Sequence, residues 1–179
     1  MSLLLSTDLF CGSLRIINYT MCHREISVVL LLVACFCITN GVYGLNITDC
    51  GSSDDVKIHD ISVSHCEDVD LCPLIRGNTT ILILRFEVAS MVKNLTAVVH
   101  GTLGDDDLFL NFPYKHRYAC KEELGLKCPI MPGKIHTYKT PIEILKLYPK
   151  LKSVVKWELR DERKKNLICI LIPSRIVDI

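Results

Sequence analysis

Residues 151–160 alternate between apolar and polar side chains with a period of two. This period is typical of a β-strand with one dry face and one wet face. Val155 and Trp157 fall on the predicted dry face, and Lys156 and Glu158 fall on the predicted wet face. The pattern therefore predicts a strand whose dry face helps to wall an apolar interior.

A second apolar run, residues 166–172, follows a charged stretch at residues 161–165 and has Cys169 in its middle. Two such runs around a polar tip predict a β-hairpin. Pro173 lacks a backbone N–H donor and is expected to weaken or end the second strand. Because Cys169 lies late in the chain, it is well placed to be tied back to an early segment.

Shorter alternating segments precede the hairpin, at residues 61–63, 81–88, 97–103 and 138–144. Turn signals rich in Gly, Asn, Asp and Pro separate them, and no helical period persists over three turns. Short strands at this spacing predict a single all-β domain built as an antiparallel β-sandwich. The apolar surplus fits either a filled core or two splayed sheets around a cavity, because both give the same periodicity.

The beginning of the chain reads as a secretory signal peptide rather than as part of the domain. Residues 26–38 are an apolar run, broken only by Ser27, that is too short for a membrane-spanning helix, and small residues at Val42 and Gly44 suit cleavage after Gly44. We expect residues 1–44 to be the leader and residues 45–179 to be the domain. Residues 1–20 fit the leader poorly, so we expect Met21 as an alternative start and residues 1–20 as an upstream extension.

Removal of the leader leaves six of the ten cysteines, an even number that indicates a disulfide framework in a secreted domain. Six cysteines allow 15 pairings. Cys66 and Cys72 are near enough in sequence to close a local loop, as are Cys120 and Cys128. That choice leaves Cys50 and Cys169 at the two ends of the domain.

Charge and motifs exclude several classes of function. With 21 basic and 20 acidic residues the chain has no charge excess that would favour a nucleic-acid partner. No nucleophile motif, phosphate loop or dinucleotide fingerprint occurs, so we expect no enzyme and no cofactor. The cysteine spacing does not match a zinc site, and the Asp105–Asp107 run lacks the spacing of a calcium loop, so we expect no metal.

Three sequons suit glycosylation of a secreted surface, at Asn46, Asn78 and Asn94. A fourth match at Asn18 lies in the leader and is set aside.

Several motifs occur together in this order: Asp49-Cys50-Gly51, the Cys66–Cys72 spacing, residues 97–101 (AVVHG), the Cys120–Cys128 spacing, and Tyr148-Pro149 followed by residues 154–159 (VVKWEL). With them, the chain closely resembles the Niemann–Pick type C2 proteins of the ML (MD-2-related lipid-recognition) domain family. The resemblance covers about residues 48–177. It implies an immunoglobulin-like β-sandwich of two antiparallel sheets that enclose a hydrophobic lipid tunnel.

The resemblance also implies disulfide pairs and a binding site. The pairs are Cys50–Cys169, Cys66–Cys72 and Cys120–Cys128. The implied ligand-binding residues are those around the tunnel mouth and along its walls: Phe112, Ile144, Tyr148, Pro149, Val63, Tyr138, Val155 and Trp157. Near the mouth this chain departs from the sterol carriers, because residues 105–110 replace a proline-rich apolar run and the 120–128 loop is two residues longer.

By this resemblance we expect a monomeric, secreted or endolysosomal carrier that binds and transfers a sterol such as cholesterol. A membrane protein that accepts the lipid is the implied partner. Two alternatives stay open: an extracellular carrier of fatty acids or semiochemicals, and an immune lipid-recognition co-receptor.

Overall fold

The computed structural model describes residues 44–67, 69–104 and 108–179. Residues 1–43 of the predicted leader, including Met21, and the Asp105–Asp107 run lie outside the described residues. In the described part the chain forms nine strands and one short 3₁₀ helix, Glu122–Leu124. The strands are β1 (Thr48–Asp49), β2 (Val56–Val63), β3 (Cys72–Ile75), β4 (Thr79–Val88), β5 (Thr96–Gly101), β6 (Leu110–Phe112), β7 (His136–Glu143), β8 (Lys152–Arg160) and β9 (Asn166–Val177). Among the described residues, no helix is long and apolar enough to cross a membrane.

Two sheets face each other, which confirms the all-β sandwich predicted from the alternating segments. The larger sheet has the order β1-β9-β8-β5-β6, with β3 also paired to β9, and the smaller sheet has the order β2-β4-β7. Neighbouring strands are antiparallel except β3, which runs parallel to β9. The predicted closing hairpin is present as β8 and β9, in which Trp157 lies opposite Ile170.

Inward-facing side chains of both sheets form one apolar core. On β4 the alternate residues Leu82, Leu84 and Phe86 are fully buried, as their period of two predicts. On β8, Trp157 is fully buried as well and lies in register with Val99 of β5. The dry face read from the sequence is therefore the inner face of the larger sheet.

Three disulfides join Cys50 to Cys169, Cys66 to Cys72 and Cys120 to Cys128. These are the pairs that the resemblance implies. The first of them spans 119 positions and ties the start of the domain to β9. The backbone agrees with this tie, because the N–H of Cys50 donates to the carbonyl of Cys169 at 2.9 Å.

The prediction that Pro173 ends its strand is wrong, because β9 continues to Val177. Pro173 lies opposite Val154 on β8. Val154 turns both of its backbone groups towards Thr102: its N–H donates to Thr102 Oγ1 at 2.9 Å, and its carbonyl accepts from the Thr102 N–H at 3.2 Å. Pro173 therefore removes no hydrogen bond between β8 and β9, and the strand tolerates it.

The prediction of a wet environment for Glu158 is also wrong, since its side chain is only 1% exposed. Arg160 Nη2 and Asn166 Nδ2 each donate to its carboxylate at 2.9 Å, and Lys156 Nζ lies 3.5 Å away. Burial alone would raise the pKa of Glu158, but the hydrogen bond from Asn166 and the charges of Arg160 and Lys156 lower it overall. Glu158 is thus a buried carboxylate held ionised by neighbours on its own face of the sheet.

Candidate binding pocket

Two aromatic rings stand at one end of the sandwich. Phe112, the last residue of β6, and Tyr148, in the loop between β7 and β8, meet edge to face with ring centroids 5.2 Å apart. They line a cavity of about 100 Å³ together with Tyr114, Ile142 and Leu145. Aromatic pairs of this geometry cover apolar space while remaining partly exposed. We call this cavity, with its lining residues, the mouth.

A second group of aromatic rings lies deeper, between the sheets. Tyr138 from β7 and Trp157 from β8 are both fully buried, with ring centroids 6.5 Å apart. Tyr114 packs edge to face on Trp157 at 4.9 Å, and its hydroxyl donates to the Pro141 carbonyl at 2.9 Å. Tyr114 therefore lines the mouth and also contacts the deep pair.

The resemblance did not point to Tyr114, although the sequence holds a signal for it. Tyr114 lies two residues after Phe112, and a period of two puts both on one side of an extended segment. The residues between β6 and the 3₁₀ helix show no repeated alternation, so sequence reasoning stopped at Phe112.

The other implied site residues do not line the mouth. Val63 and Ile144 are buried, and Val155 is partly buried on the inner face of β8. Pro149 is exposed and is not among the residues that line the mouth. Of the eight residues implied by the resemblance, the structure brings Phe112 and Tyr148 together at one cavity, and it packs Tyr138 and Trp157 behind them.

The tyrosine hydroxyls of the pocket are neutral at physiological pH, whereas Lys115 and Glu143 also line the mouth and pair with each other at 3.5 Å. Burial raises the pKa of Tyr148 and of Tyr114 above the ordinary tyrosine value, and it raises that of Tyr138 further. Within the described residues, the Tyr138 hydroxyl and the Trp157 indole N–H are buried without a hydrogen-bond partner of good geometry. An unpaired buried polar group costs roughly 1–3 kcal/mol, which a filled core of this size would normally avoid.

The turn between β3 and β4 holds the mouth loop, residues 144–150, in place. The Gly77 N–H donates to the Ile144 carbonyl at 2.6 Å, and the Ile144 N–H donates to the Asn78 carbonyl at 2.9 Å. Gly77 has φ +82°, and an added Cβ there would lie 2.9 Å from the Lys146 side chain. Glycine suits this position because a side chain would be strained and would press on the mouth loop.

Arg76 adds a charged clamp to the same loop. Its Nη1 donates to the Tyr148 carbonyl at 3.1 Å, while Nε and Nη2 each donate to Asp178 at 2.6 Å. The hydrogen bond from Arg76 lowers the pKa of Asp178 to about 2, with smaller contributions from Lys150. Because the pKa of Asp178 lies below the ordinary aspartate value, its ion pair with Arg76 is fully formed at neutral and mildly acidic pH. The pair is lost only as the pH falls towards 2.

Replacing Arg76 by alanine is expected to loosen the mouth loop while leaving the fold intact. We expect exchange of the Tyr148 region amides and dissociation of a bound lipid to become faster by about threefold, because one anchor of the loop is lost. Hydrogen exchange and stopped-flow ligand release measure the two effects. Because Asp178 stays ionised, the change is expected to be the same at pH 7 and pH 5.

Lys150→Ala is the matched control for this variant. Lys150 also pairs with Asp178, at 3.3 Å, but it does not donate to Tyr148. If amide exchange and lipid dissociation become faster by the same factor in Arg76→Ala and Lys150→Ala, the effect comes from the pairing with Asp178 and not from the hydrogen bond of Arg76 to the mouth loop.

The fold and the pocket define a class of protein: a disulfide-tied β-sandwich with an aromatic-lined opening at one end of the sandwich. The family model of the ML domain matches residues 44–176. The chain is 36% identical to the mouse NPC intracellular cholesterol transporter 2 over 132 residues, covering 74% of this chain and 85% of that protein. It is 38% identical over 130 residues to the ecdysteroid-regulated 16 kDa protein of Manduca sexta, covering 72% of this chain and 86% of that protein.

Among solved structures, a Niemann–Pick type C2 protein from the Japanese carpenter ant superposes with a TM-score of 0.68 at 30% identity. The match covers 74% of this chain and 99% of that one. The chain therefore belongs to the ML domain family, as its cysteine spacing and its VVHG and VVKWEL segments indicated.

Proposed function

We propose that this protein is a lipid carrier that binds a sterol, or a lipid of similar shape, between its two sheets. The observation that carries the proposal is the Phe112–Tyr148 pair, which stands at the mouth with Tyr138 and Trp157 buried behind it. The mouse relative is a cholesterol transporter by name, which supports the same ligand class.

Ligand entry requires the interior to open. The mouth cavity is about 100 Å³, whereas pockets for small molecules typically measure about 300–1,000 Å³. Two sheets joined mainly by side-chain packing can separate without breaking strand hydrogen bonds, and the lipid then replaces the lost apolar contacts. Each 100 Å² of ligand surface removed from water is worth roughly 2.5 kcal/mol before association costs.

The unpaired polar groups in the interior support a ligand site over a plain core. Trp157 supplies a donor and Tyr138 supplies a donor or acceptor, and neither has a hydrogen-bond partner of good geometry among the described residues. A ligand atom that accepts a hydrogen bond would satisfy them. Transfer of a lipid needs no catalytic group, so the proposed carrier is not an enzyme and uses no cofactor or metal.

The exposed apolar side chains next to the mouth suit contact with a lipid donor or acceptor. Leu145 is 41% exposed and Leu147 is 78% exposed, and both belong to the mouth loop. Lys146 and Lys150 are exposed in the same loop. An apolar tip flanked by lysines favours a membrane surface or a membrane protein as the acceptor.

The compartment we propose is the secretory route, with action outside the cell or in the endolysosomal lumen. The three disulfides persist in such oxidising compartments. The asparagines of all three sequons, Asn46, Asn78 and Asn94, are exposed and hence open to glycosylation. We further propose that residues 45–179 act as one monomeric domain after removal of the leader.

A carrier of fatty acids or semiochemicals is the second candidate. The small volume of the mouth favours a ligand with a single alkyl chain, because such a chain needs less opening of the sheets than a sterol ring system does.

Mass spectrometry of lipids that co-purify with the secreted protein separates these candidates. We expect sterol at close to one equivalent per protein. Recovery of fatty acids without sterol would favour the second candidate, and recovery of neither from a folded, secreted protein would contradict carriage.

A further inference from the structure

A second cleft opens beside the mouth, where the chain leaves the edge of β5. β6 pairs with β5 as far as Phe112, and the chain returns only where the Arg117 carbonyl accepts from the Ala97 N–H at 2.7 Å. The segment between these two points, residues 113–116, bulges away from the sheet edge. The bulge leaves a cleft of about 690 Å³, which lies within the size range of small-molecule pockets, roughly 300–1,000 Å³. We call it the edge cleft.

Three cationic side chains line the edge cleft: Lys115, Arg117 and Arg160. No carboxylate is among the described residues that line it. Lys115 does have an acidic neighbour, Glu143 at 3.5 Å, but both of these side chains are more than half exposed, so the pair is weak. Among the described residues, the side chain of Arg117 takes part in no ion pair. The cleft therefore presents positive charge to whatever enters it.

The buried carboxylate behind Arg160 does not cancel this charge. Glu158 accepts from Arg160 Nη2 at 2.9 Å, and it also lies 3.5 Å from Lys156 Nζ and 3.3 Å from His100 Nδ1. One anion is thus shared among two permanent cations and a histidine. Arg160 Nε, in addition, has no acceptor among the described residues.

The rest of the lining is apolar or neutral. Val98, Phe112 and Pro113 give the cleft apolar surface, and Asn111 and Tyr114 add neutral polar groups. A pocket with apolar walls and a few convergent cations recognises a molecule with an anionic end and a short apolar part.

We propose that the edge cleft is a separate binding site for an organic oxyanion, such as the phosphate monoester or carboxylate of a single-chain amphiphile. Arg117 and Arg160 hold the anionic oxygens, and Val98 and Phe112 cover the first carbons of the chain. The edge cleft and the mouth lie against the same segment: Phe112 and Tyr114 line both. Tyr148 and Ile142 line only the mouth, and Arg117 and Arg160 line only the edge cleft.

Titration with hexyl phosphate, followed by amide chemical shifts, tests the proposal. We expect saturable shifts at Val98, Asn111 and Arg117 and none with neutral hexanol. Arg117→Gln is expected to weaken binding by about tenfold, because one charge-assisted contact is lost. Arg160→Lys is a second variant: it keeps the positive charge next to Glu158 but loses the forked donor geometry, and it is expected to weaken binding by severalfold.

One control and one parallel titration decide the outcome. Lys57→Gln removes one exposed charge on β2, in the other sheet, and is expected to leave the titration unchanged. Inorganic phosphate is titrated alongside, and equal affinity for it would assign the site to free phosphate rather than to an amphiphile. The proposal is overturned if hexyl phosphate leaves the three amides unshifted, or if Arg117→Gln and Lys57→Gln behave alike.

Discussion

Alanine in place of Phe112 or Tyr148 is expected to weaken sterol binding by about thirtyfold, which corresponds to about 80 Å² of lost apolar contact at 25 cal/mol per Å². Both rings form the mouth and neither is fully buried, so the domain is expected to fold and to be secreted normally. Equilibrium titration with a fluorescent sterol measures the affinity, and circular dichroism checks the fold.

Tyr118→Ala is the matched control for these two variants. Tyr118 is an aromatic residue that is 60% exposed and does not line the mouth. Its replacement is expected to leave sterol affinity unchanged. Normal binding by both Phe112→Ala and Tyr148→Ala would place the lipid elsewhere in the protein.

Removal of the Cys50–Cys169 bridge is expected to have the largest effect on stability. The bridge closes a loop of 119 positions, for which the chain-entropy model gives about 5 kcal/mol of unfolding free energy. For a domain of this size that loss corresponds to a fall of roughly 15 °C in the melting temperature. Thermal unfolding of the Cys50→Ala/Cys169→Ala double variant measures it.

The Cys66→Ala/Cys72→Ala variant is the matched control. It also removes one disulfide and two cysteines, but the loop that this disulfide closes is short. This bridge spans only 6 positions, and the same model gives about 2 kcal/mol for it. Equal losses in the two double variants would mean that the long bridge does not act by constraining the unfolded chain.

The fold was predictable because strand periodicity and disulfide spacing are local properties of the sequence. The alternation over residues 151–160 gave the inner face of β8 correctly, with Trp157 buried and Lys152 exposed. Family membership was predicted from the order of several motifs along the chain, and strand periodicity alone would not have indicated it.

Tertiary surroundings account for the two errors in the closing hairpin. Glu158 has the polarity of a surface residue, but Arg160, Asn166 and Lys156 surround it and make its burial tolerable. Pro173 has the chemistry of a strand breaker, but it occupies a position where β8 requires no donor from it. Asn166 of β9 completes the surroundings of Glu158, and the bonds of Val154 to Thr102 leave Pro173 without a required donor; both contacts come from other segments, which a pattern along one strand does not contain.

The sequence also left open whether the interior is a core or a site, since both are apolar with the same period. The structure adds two observations that periodicity lacks: the edge-to-face pair at the mouth and the unpaired polar atoms of Tyr138 and Trp157. The sequence did not predict the edge cleft either. Arg117 and Arg160 are far apart in sequence, and they line the same cleft only because β5 pairs with β8.

Trp157 provides the most direct measurement of lipid binding between the sheets, since it is the sole tryptophan of the chain and is fully buried there. The protein is titrated with dehydroergosterol, a fluorescent sterol whose absorption overlaps tryptophan emission. We predict saturable quenching of Trp157 with matching sensitised sterol emission at one sterol per protein. Sterol binding without energy transfer from Trp157, or no saturable binding at all, would contradict a lipid site between the two sheets.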